Sequence, residues 1–140
     1  MMEERDGVDD QELKELLRLR NVAVVGASRD QSKPDHYVPK YLLDHGYNVL
    51  PANPFASEIL GMKNSPDLMK IDQEIDIVDI FRPSQDVLPV VRDAIRKREK
   101  VVWMQEGIWN KEAADEARKH GIKTFWNRCM MKEHDRLYGE

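Results

Sequence analysis

The stretch Val22-Ala23-Val24-Val25-Gly26-Ala27-Ser28 decides the fold of this chain. Its apolar, mostly β-branched first part is typical of a strand buried on both faces of a parallel sheet. The small residues that follow allow the backbone to approach a ligand closely and leave amide N–H groups directed outward. The stretch therefore predicts an α/β protein with a phosphate-binding turn after its first strand.

The turn lacks the full dinucleotide fingerprint. That fingerprint requires three glycines in the order G-x-G-x-x-G, whereas the window from Gly26 to Gln31 contains only one. A nucleotide phosphate remains a suitable ligand, but an ordinary NAD site is not favoured. The alternative is a tight strand-to-helix turn that binds nothing.

Composition and charge predict one globular domain over residues 1–140, with residues 1–20 as an N-terminal helical extension. The chain has 22 Lys and Arg against 26 Asp and Glu, and its net charge of −4 disfavours general binding to nucleic acid or anionic membranes. No apolar run reaches the roughly 18 residues of a membrane span, and the acidic start lacks a signal-peptide pattern. The single cysteine, Cys129, excludes an internal disulfide, so a cytoplasmic location is expected.

Five strand-like segments alternate with helical patterns. The predicted strands cover residues 22–25, 47–50, 75–81, 101–104 and 122–125, and the main predicted helices cover residues 35–45, 85–98, 111–120 and 131–138. Such βαβ units form parallel sheets with helices on both faces. We therefore expect an α/β, Rossmann-type, doubly wound sheet of five parallel strands in the order 3-2-1-4-5, with a ligand crevice where strands 1 and 4 separate.

The carboxyl ends of these strands should converge, because parallel strands end at the same edge of a sheet. The residues at those ends are Gly26, Ala27 and Ser28 after the first strand, Asn53 and Pro54 after the second, Phe81 and Arg82 at the third, and Gln105, Glu106 and Gly107 after the fourth. Four groups that are remote in sequence thus predict one binding site.

The side chains of this predicted site suit a nucleotide. Arg29 and Lys33 supply positive charge for a phosphate, as does Arg82. Phe81 can stack on an adenine. Asn53 stands where NAD enzymes usually carry an acid that holds the ribose, and it can bond a base or ribose instead. The alternatives are a solvated loop position for Arg29, an ordinary turn at Asn53 and a core position for Phe81.

Catalytic constellations are missing from the sequence. It contains no G-x-S-x-G, G-x-x-x-x-G-K-[ST] or H-E-x-x-H motif, and its histidines lack metal-ligand spacing. Asp76, Asp79 and Glu106 are acids placed near the predicted crevice, but no nucleophile and base can be assembled with them. We therefore do not expect an enzyme, and an NAD-linked or acyl-transfer activity in the same crevice is the rival hypothesis.

Seven segments together carry a family resemblance. They are VVGAS at 24–28, YLLDHGY at 41–47, PANP at 51–54, EILG at 58–61, DIVDIFR at 76–82, VVWMQEG at 101–107 and NRC at 127–129. The chain resembles, from about residue 13 to 137, the small stand-alone CoA-binding proteins of bacteria and archaea. Their domain is similar to the CoA-binding Rossmann domain of the succinyl-CoA synthetase α-subunit.

The resemblance implies that the phosphates of coenzyme A contact Gly26, Ala27 and Ser28. It also implies adenosine contacts near Asn53, Pro54, Phe81 and Arg82, and a pantetheine arm that passes Gln105, Glu106 and Gly107. The chain lacks the second domain and the phosphohistidine segment of the synthetase, so the resemblance implies a non-catalytic binding module. The ligand is either coenzyme A or an acyl-CoA, and the sequence does not choose between them.

Three aromatic residues raise a different hypothesis. Phe55, Trp109 and Trp126 stand where loop or near-surface positions are expected, and exposed aromatics are typical of protein interfaces. A homodimer, another protein partner or an interface engineered onto a CoA-binding scaffold would explain them. The alternative is that the two tryptophans and Phe55 pack beneath the C-terminal tail.

Cys129 follows the fifth predicted strand, where the far end of coenzyme A would lie. Its neighbours Arg128 and Lys132 can favour a thiolate, and a thiolate exchanges into a disulfide with an oxidised CoA thiol. We therefore predict a reversible Cys129–CoA mixed disulfide under oxidising conditions. The alternative is a buried cysteine that serves as a small apolar filler.

Overall fold

The computed structural model describes residues 5–139. Its strands are β1 (Asn21–Val25), β2 (Asn48–Ala52), β3 (Glu58–Ile59), β4 (Met62–Lys63), β5 (Ile77–Ile80), β6 (Val101–Met104) and β7 (Lys123–Phe125). Its helices are α1 (Asp10–Leu16), α2 (Pro34–Asp44), α3 (Val87–Arg96), α4 (Lys111–Lys119) and α5 (Met130–Tyr138). The five strands predicted from the sequence are therefore present, with ends that differ by a few residues, while the hairpin of β3 and β4 was not predicted.

The main sheet is parallel and has the order β2-β1-β5-β6-β7. The Rossmann-type α/β class is confirmed, but residues 75–81 do not take the outer place predicted for them. Their strand, β5, pairs with β1, so that Val24 lies opposite Asp79. The outer place beside β2 is instead occupied by Ser65, which forms a single parallel bridge with Ala52. If the bridge at Ser65 is counted as the third strand of this sheet along the chain, then β5, β6 and β7 become strands 4, 5 and 6. The sheet then has the predicted pattern 3-2-1-4-5, extended by β7.

Helices cover both faces of this sheet, as predicted. On one face, β-strand residues such as Ala23 and Val78 pack with the buried sides of α3 and α4. On the other face, residues such as Val24 and Ile77 pack with α1, α2 and α5. Burial of each such valine or isoleucine side chain contributes about 1.5–3 kcal/mol. These two cores fix the strand ends that carry the predicted site.

Asp76 and Asp79 do not lie near the crevice as expected. Asp76 stands at the opposite end of β5, where its carboxylate accepts a hydrogen bond of 3.0 Å from the Asn21 amide. Asp79 is buried in the sheet between Val24 and Trp103. Neither of its carboxylate oxygens has a hydrogen-bond partner among residues 5–139, and burial raises the pKa of this carboxyl well above its ordinary value.

The segment before β1 is bound to the C-terminal part of the chain. The Asp6 carboxylate accepts hydrogen bonds of 2.6 and 2.8 Å from the Arg128 guanidinium. Although burial opposes the shift, these bonds lower the pKa of Asp6. Asp9 caps α1, whose Leu13 and the following Leu17 are buried. The predicted N-terminal helix is therefore present, and residues 1–4 of the predicted extension lie outside the described range.

An aromatic cluster joins α5 to α2. Tyr41 and His134 form a hydrogen bond of 2.9 Å, and the His45 ring centre lies 5.3 Å from that of His134. Tyr138 also stacks on His134, with ring centres 5.5 Å apart. Burial, together with the nearby His45 and Arg20, lowers the pKa of His134 below its ordinary value of 6.5. The surroundings of His134 therefore favour the neutral imidazole over the charged one.

Within residues 5–139, no helix is long and apolar enough to cross a membrane. The same residues contain no group of three or more His, Cys, Asp and Glu side chains that could hold a metal ion.

Candidate functional site

At Gly26 the backbone that follows β1 lies close to the backbone that follows β5. Its φ is +95°, and a Cβ atom at this position would lie 3.2 Å from the backbone carbon and oxygen of Phe81. The helices that follow β1 and β5 cover opposite faces of the sheet. A crevice therefore opens between β1 and β5, rather than between the first and fourth predicted strands, and it brings Phe81 and Arg82 beside the Gly26 turn.

Two amides of this turn are already bonded within the protein. The Gly26 N–H donates to the Ala52 carbonyl at 2.9 Å, and the Ser28 N–H donates to the Asp35 carbonyl at 2.9 Å. The Ser28 hydroxyl oxygen also accepts a hydrogen bond of 3.0 Å from the Asp30 amide. The hydroxyl proton of Ser28 and the neighbouring side chains are therefore better placed than these two amides to meet a phosphate.

A proline inside α2 explains how Ser28 is held. Pro39 has no N–H, so it cannot donate to the carbonyl of Asp35, four residues earlier in the helix. That free carbonyl accepts the Ser28 amide instead. His36, in the same helical turn, donates from Nδ1 to the Ser28 carbonyl at 2.8 Å. The first turn of α2 thus binds both backbone groups of Ser28.

Asn53 holds the turn from the other side. Its Nδ2 donates to the Ala27 carbonyl at 2.6 Å, and its Oδ1 accepts from the Phe55 amide at 2.7 Å. Asn64 then bridges the carbonyls of Asn53 and Ala56. Asn53, predicted to contact a base or ribose, is therefore engaged in backbone contacts. Its side chain positions the Gly26 turn against the loop that contains Pro54 and Phe55.

Positive charge gathers around the turn. Arg29, Lys33 and Arg82 form no ion pair of 4 Å or less with any residue in the described part of the chain. By contrast, Lys132 pairs with Glu106 at 2.8 Å. The first three cations are therefore available to an anion, as the sequence predicts, whereas Lys132 is neutralised.

Two neighbouring cavities border the first turn of α2. The inner cavity, of about 280 Å³, is lined among others by Lys33, Phe81, Gln105 and Glu106. The outer cavity, of about 580 Å³, is lined by Arg29, Gln31, His36, Tyr37, Lys40, Glu58 and Leu60. Tyr37 lines both cavities and is 42% exposed. Sequence reasoning missed Tyr37, although an aromatic residue in the first turn of the helix after β1 is a usable signal.

The inner cavity lies at the carboxyl ends of β5 and β6. Gln105 is buried, and its Oε1 accepts a hydrogen bond of 3.0 Å from the Met130 amide at the start of α5. Asp35 also lines this cavity, and burial raises the pKa of its carboxyl. Gly107 donates its amide to Asn127 Oδ1 at 2.7 Å, which fixes the loop after β6. Of the predicted loop residues, Gln105 and Glu106 therefore line one space together with residues of α2 and α5, whereas Gly107 does not line it.

Cys129 lies on the wall of the inner cavity and is 7% exposed. The two cations that were expected to favour a thiolate at Cys129 are each paired with a carboxylate. Arg128 binds Asp6, and Lys132 binds Glu106, so both positive charges are compensated by carboxylates. The position beside the cavity agrees with the sequence prediction, whereas the thiol exchange itself stays a prediction.

The aromatic residues predicted to form an interface separate into two kinds. Trp126 is only 6% exposed, and Trp109 stacks on it with ring centres 4.2 Å apart. The Arg118 guanidinium lies 4.4 Å from the centre of the Trp126 ring. Trp126 is therefore buried, and Trp109 half-buried, in the core on the α3 and α4 face of the sheet, not beneath the C-terminal α5 as the alternative held. Phe55 is 90% exposed, as the interface hypothesis requires.

Both the sequence and the fold match one family, described as the CoA binding domain, over residues 20–135. The chain belongs to the CoA-binding domain family. The structure of a hypothetical protein from Pyrococcus horikoshii OT3 is 42% identical to it and has a TM-score of 0.94, covering 99% of this chain and 100% of that one. Protein YneT of Bacillus subtilis (strain 168) is 36% identical over 124 residues, which are 88% of this chain and 92% of YneT.

The CoA-binding domain also occurs as part of larger proteins. Acetate--CoA ligase [ADP-forming] II of Archaeoglobus fulgidus is 30% identical over 126 residues. These residues make up 81% of this chain but only 19% of the ligase. The family resemblance drawn from the sequence is thus confirmed, and the ligase activity belongs to a protein of which this chain matches a small part.

Proposed function

We propose that the chain binds coenzyme A, free or acylated, in the crevice at the carboxyl ends of its parallel strands. The observation that carries this proposal is the pair of cavities on either side of Tyr37. Coenzyme A is an elongated molecule with a phosphorylated nucleotide at one end and a narrow thiol-bearing arm at the other. Membership in the CoA-binding domain family supports the same ligand.

The outer cavity and the Gly26 turn are assigned to the nucleotide. Arg29 gives the outer cavity a positive charge that is unpaired within residues 5–139, whereas Lys40, on the same cavity, is paired with Asp44 at 2.8 Å. Arg82 lies beside Gly26, and Ser28 adds a hydroxyl donor. Side chains therefore bind the phosphates, while Gly26, Ala27, Asn53 and Pro54 provide the rigid turns that support them.

The inner cavity is assigned to the pantetheine arm. Phe81, Gln105 and Glu106 line this cavity, and Gly107 lies between the lining residues Glu106 and Ile108. Lys33 lies at its rim, where it also faces the phosphates. None of the histidines in the described residues lines this cavity. A binding role without catalysis is therefore proposed, in a reducing cytoplasm where Cys129 stays a free thiol.

Calorimetric titration with coenzyme A, dephospho-CoA and NAD tests the proposal. Coenzyme A should bind more tightly than either competitor, because only it carries both the 3′-phosphate and the pantetheine arm. Equal affinity for all three, or binding of none, would overturn the assignment. Native mass spectrometry of freshly purified protein gives an independent test, since a retained ligand has a diagnostic mass.

A charge introduced at Ser28 tests the phosphate position. Ser28→Asp should weaken coenzyme A binding by about 1–4 kcal/mol, because it sets a negative charge against the ligand phosphates. Gln11→Glu adds the same charge on exposed α1 and serves as the matched control. Unchanged affinity in Ser28→Asp, with an intact circular dichroism spectrum, would remove Ser28 from the site.

A further inference from the structure

We propose that the inner cavity receives the acyl group of a short-chain acyl-CoA and that Gln105 recognises the thioester carbonyl. This inference rests on the proposed function and names the form of coenzyme A that the site prefers. It follows from three features of the cavity: the apolar part of its wall, the fixed amide of Gln105 and its charged rim.

Part of the wall of the inner cavity is apolar. Val38, Phe81, Ile108, Cys129 and Met131 line it, and Val38 and Cys129 are buried. The thiol of free coenzyme A would leave much of a space of about 280 Å³ without apolar contact. A short acyl chain would fill it, and each buried methylene strengthens binding by about fourfold.

Gln105 supplies a directed hydrogen-bond donor to this apolar space. It is 3% exposed, and the Met130 amide donates to its Oε1 at 3.0 Å. Because a backbone N–H must face an acceptor, this contact fixes which end of the side-chain amide is turned away. Nε2 donates to no residue between 5 and 139. A thioester carbonyl oxygen satisfies this donor, whereas a thiol or thioether sulfur accepts hydrogen bonds poorly.

The rim of the cavity limits the length of the acyl chain. Lys33, Glu106 and Lys132 are exposed charged residues at its border, and Asp35 is half-buried there. An acyl chain that extended past the apolar part of the wall would meet these charges. The cavity therefore suits an acyl group of a few carbons rather than a long fatty chain.

Three ligands separate the contributions of the acyl chain and its carbonyl. Calorimetric titration compares coenzyme A, butanoyl-CoA and S-butyl-CoA, the thioether that keeps the chain but lacks the carbonyl. We expect S-butyl-CoA to bind at least fourfold more tightly than coenzyme A. Butanoyl-CoA should bind about tenfold more tightly than S-butyl-CoA, because it pairs the buried amide.

Gln105→Met removes the donor and keeps the length of the side chain. The ratio of the butanoyl-CoA and S-butyl-CoA affinities should fall to about one in this variant, and it should stay near tenfold in Gln73→Met, an exposed control. A general loosening of the site would lower both affinities alike, so their ratio reports the contribution of the carbonyl alone. If Gln105→Met does not fold, the ratio in the unmodified protein still decides the role of the carbonyl.

The outcomes distinguish this inference from the proposed function. If coenzyme A binds and butanoyl-CoA binds no more tightly, the acyl pocket is refuted and coenzyme A binding stands. If butanoyl-CoA and S-butyl-CoA bind equally to the unmodified protein, recognition by Gln105 is refuted. If no form of coenzyme A binds, the proposed function fails, and this inference fails with it.

Discussion

Gly26→Ala should destabilise the protein through the close approach of β1 and β5. A residue other than glycine in the left-handed region costs about 1–2 kcal/mol, and Gly26 has a φ of +95°. The added Cβ would also lie 3.2 Å from the Phe81 backbone carbon and oxygen, which cannot rotate away as a side chain can. Such overpacking costs about 1–3 kcal/mol. The total loss should therefore be about 2–5 kcal/mol, a large share of the 5–15 kcal/mol typical of a folded domain.

Gly121→Ala provides the matched control. Gly121 also has a positive φ, of +78°, but apart from its chain neighbours no atom of residues 5–139 lies within 4 Å of the Cβ that alanine would add. This substitution should cost only the backbone strain, about 1–2 kcal/mol. Urea unfolding measures both variants, and the difference between them, about 1–3 kcal/mol, isolates the contact with Phe81.

The same pair of variants tests the site. A shift of Phe81 and Arg82 away from the turn should weaken coenzyme A binding in Gly26→Ala, whereas Gly121→Ala should bind as the unmodified protein does. Equal losses of stability in the two variants would refute the argument that Gly26 is required by the contact between strands. If Gly26→Ala is destabilised but binds coenzyme A normally, the contact between Gly26 and Phe81 does not contribute to ligand binding.

Three further predictions concern titratable groups. Folding lowers the pKa of His134, so its contribution to the free energy of unfolding is present above its ordinary pKa of 6.5 and is lost as the pH falls. His134→Gln should therefore reduce the loss of stability between pH 7 and 5 in urea titrations. The control His120→Gln, at an exposed helix end, should leave that loss unchanged. Folding raises the pKa of Asp79, so its contribution to stability has the opposite pH dependence and is lost as the pH rises above 3.8. Asp79→Asn should therefore become more stable relative to the unmodified protein as the pH increases from 5 to 8. The same slope of stability against pH in both proteins would contradict this. Incubation with CoA disulfide should give a CoA-sized adduct on Cys129 that dithiothreitol removes and Cys129→Ser lacks; no adduct by intact-mass analysis would end the thiol-exchange hypothesis.

The strands could be predicted from the sequence because their signal is local. Residues 22–25 and 101–104 are continuous apolar runs, and they form β1 and β6 with little change at their ends. The order of the strands was harder to predict because it depends on where the chain crosses the sheet. Residues 53–76 contain a short hairpin and the single bridge at Ser65, and neither leaves a strong periodic pattern. The pairing of β5 with β1 was missed for that reason.

The candidate site was predictable where it rests on strand ends. Phe81, Gln105 and Glu106 meet around the inner cavity because two neighbouring parallel strands, β5 and β6, end at one edge of the sheet. The residues that sequence reasoning missed, such as Tyr37 and Met131, come from α2 and α5. Their position depends on how the helices pack over the sheet, which no single segment specifies. The sequence left the burial of Trp126 undecided for the same reason, since its partners Trp109 and Arg118 lie in other segments.

Pro39 lies where proline is normally avoided, inside α2, the helix that follows the turn of the candidate site. A proline at the sixth residue of a helix normally costs about 3 kcal/mol, because one hydrogen bond is lost and the ring crowds the preceding turn. In α2 the lost bond leaves the carbonyl of Asp35 free, and the amide of Ser28 occupies it at 2.9 Å. An ordinary residue at position 39 would compete for that carbonyl with its own amide. The proline therefore weakens α2 as an isolated helix and, in the folded protein, connects it to the turn after β1 on which the proposed phosphate contact depends.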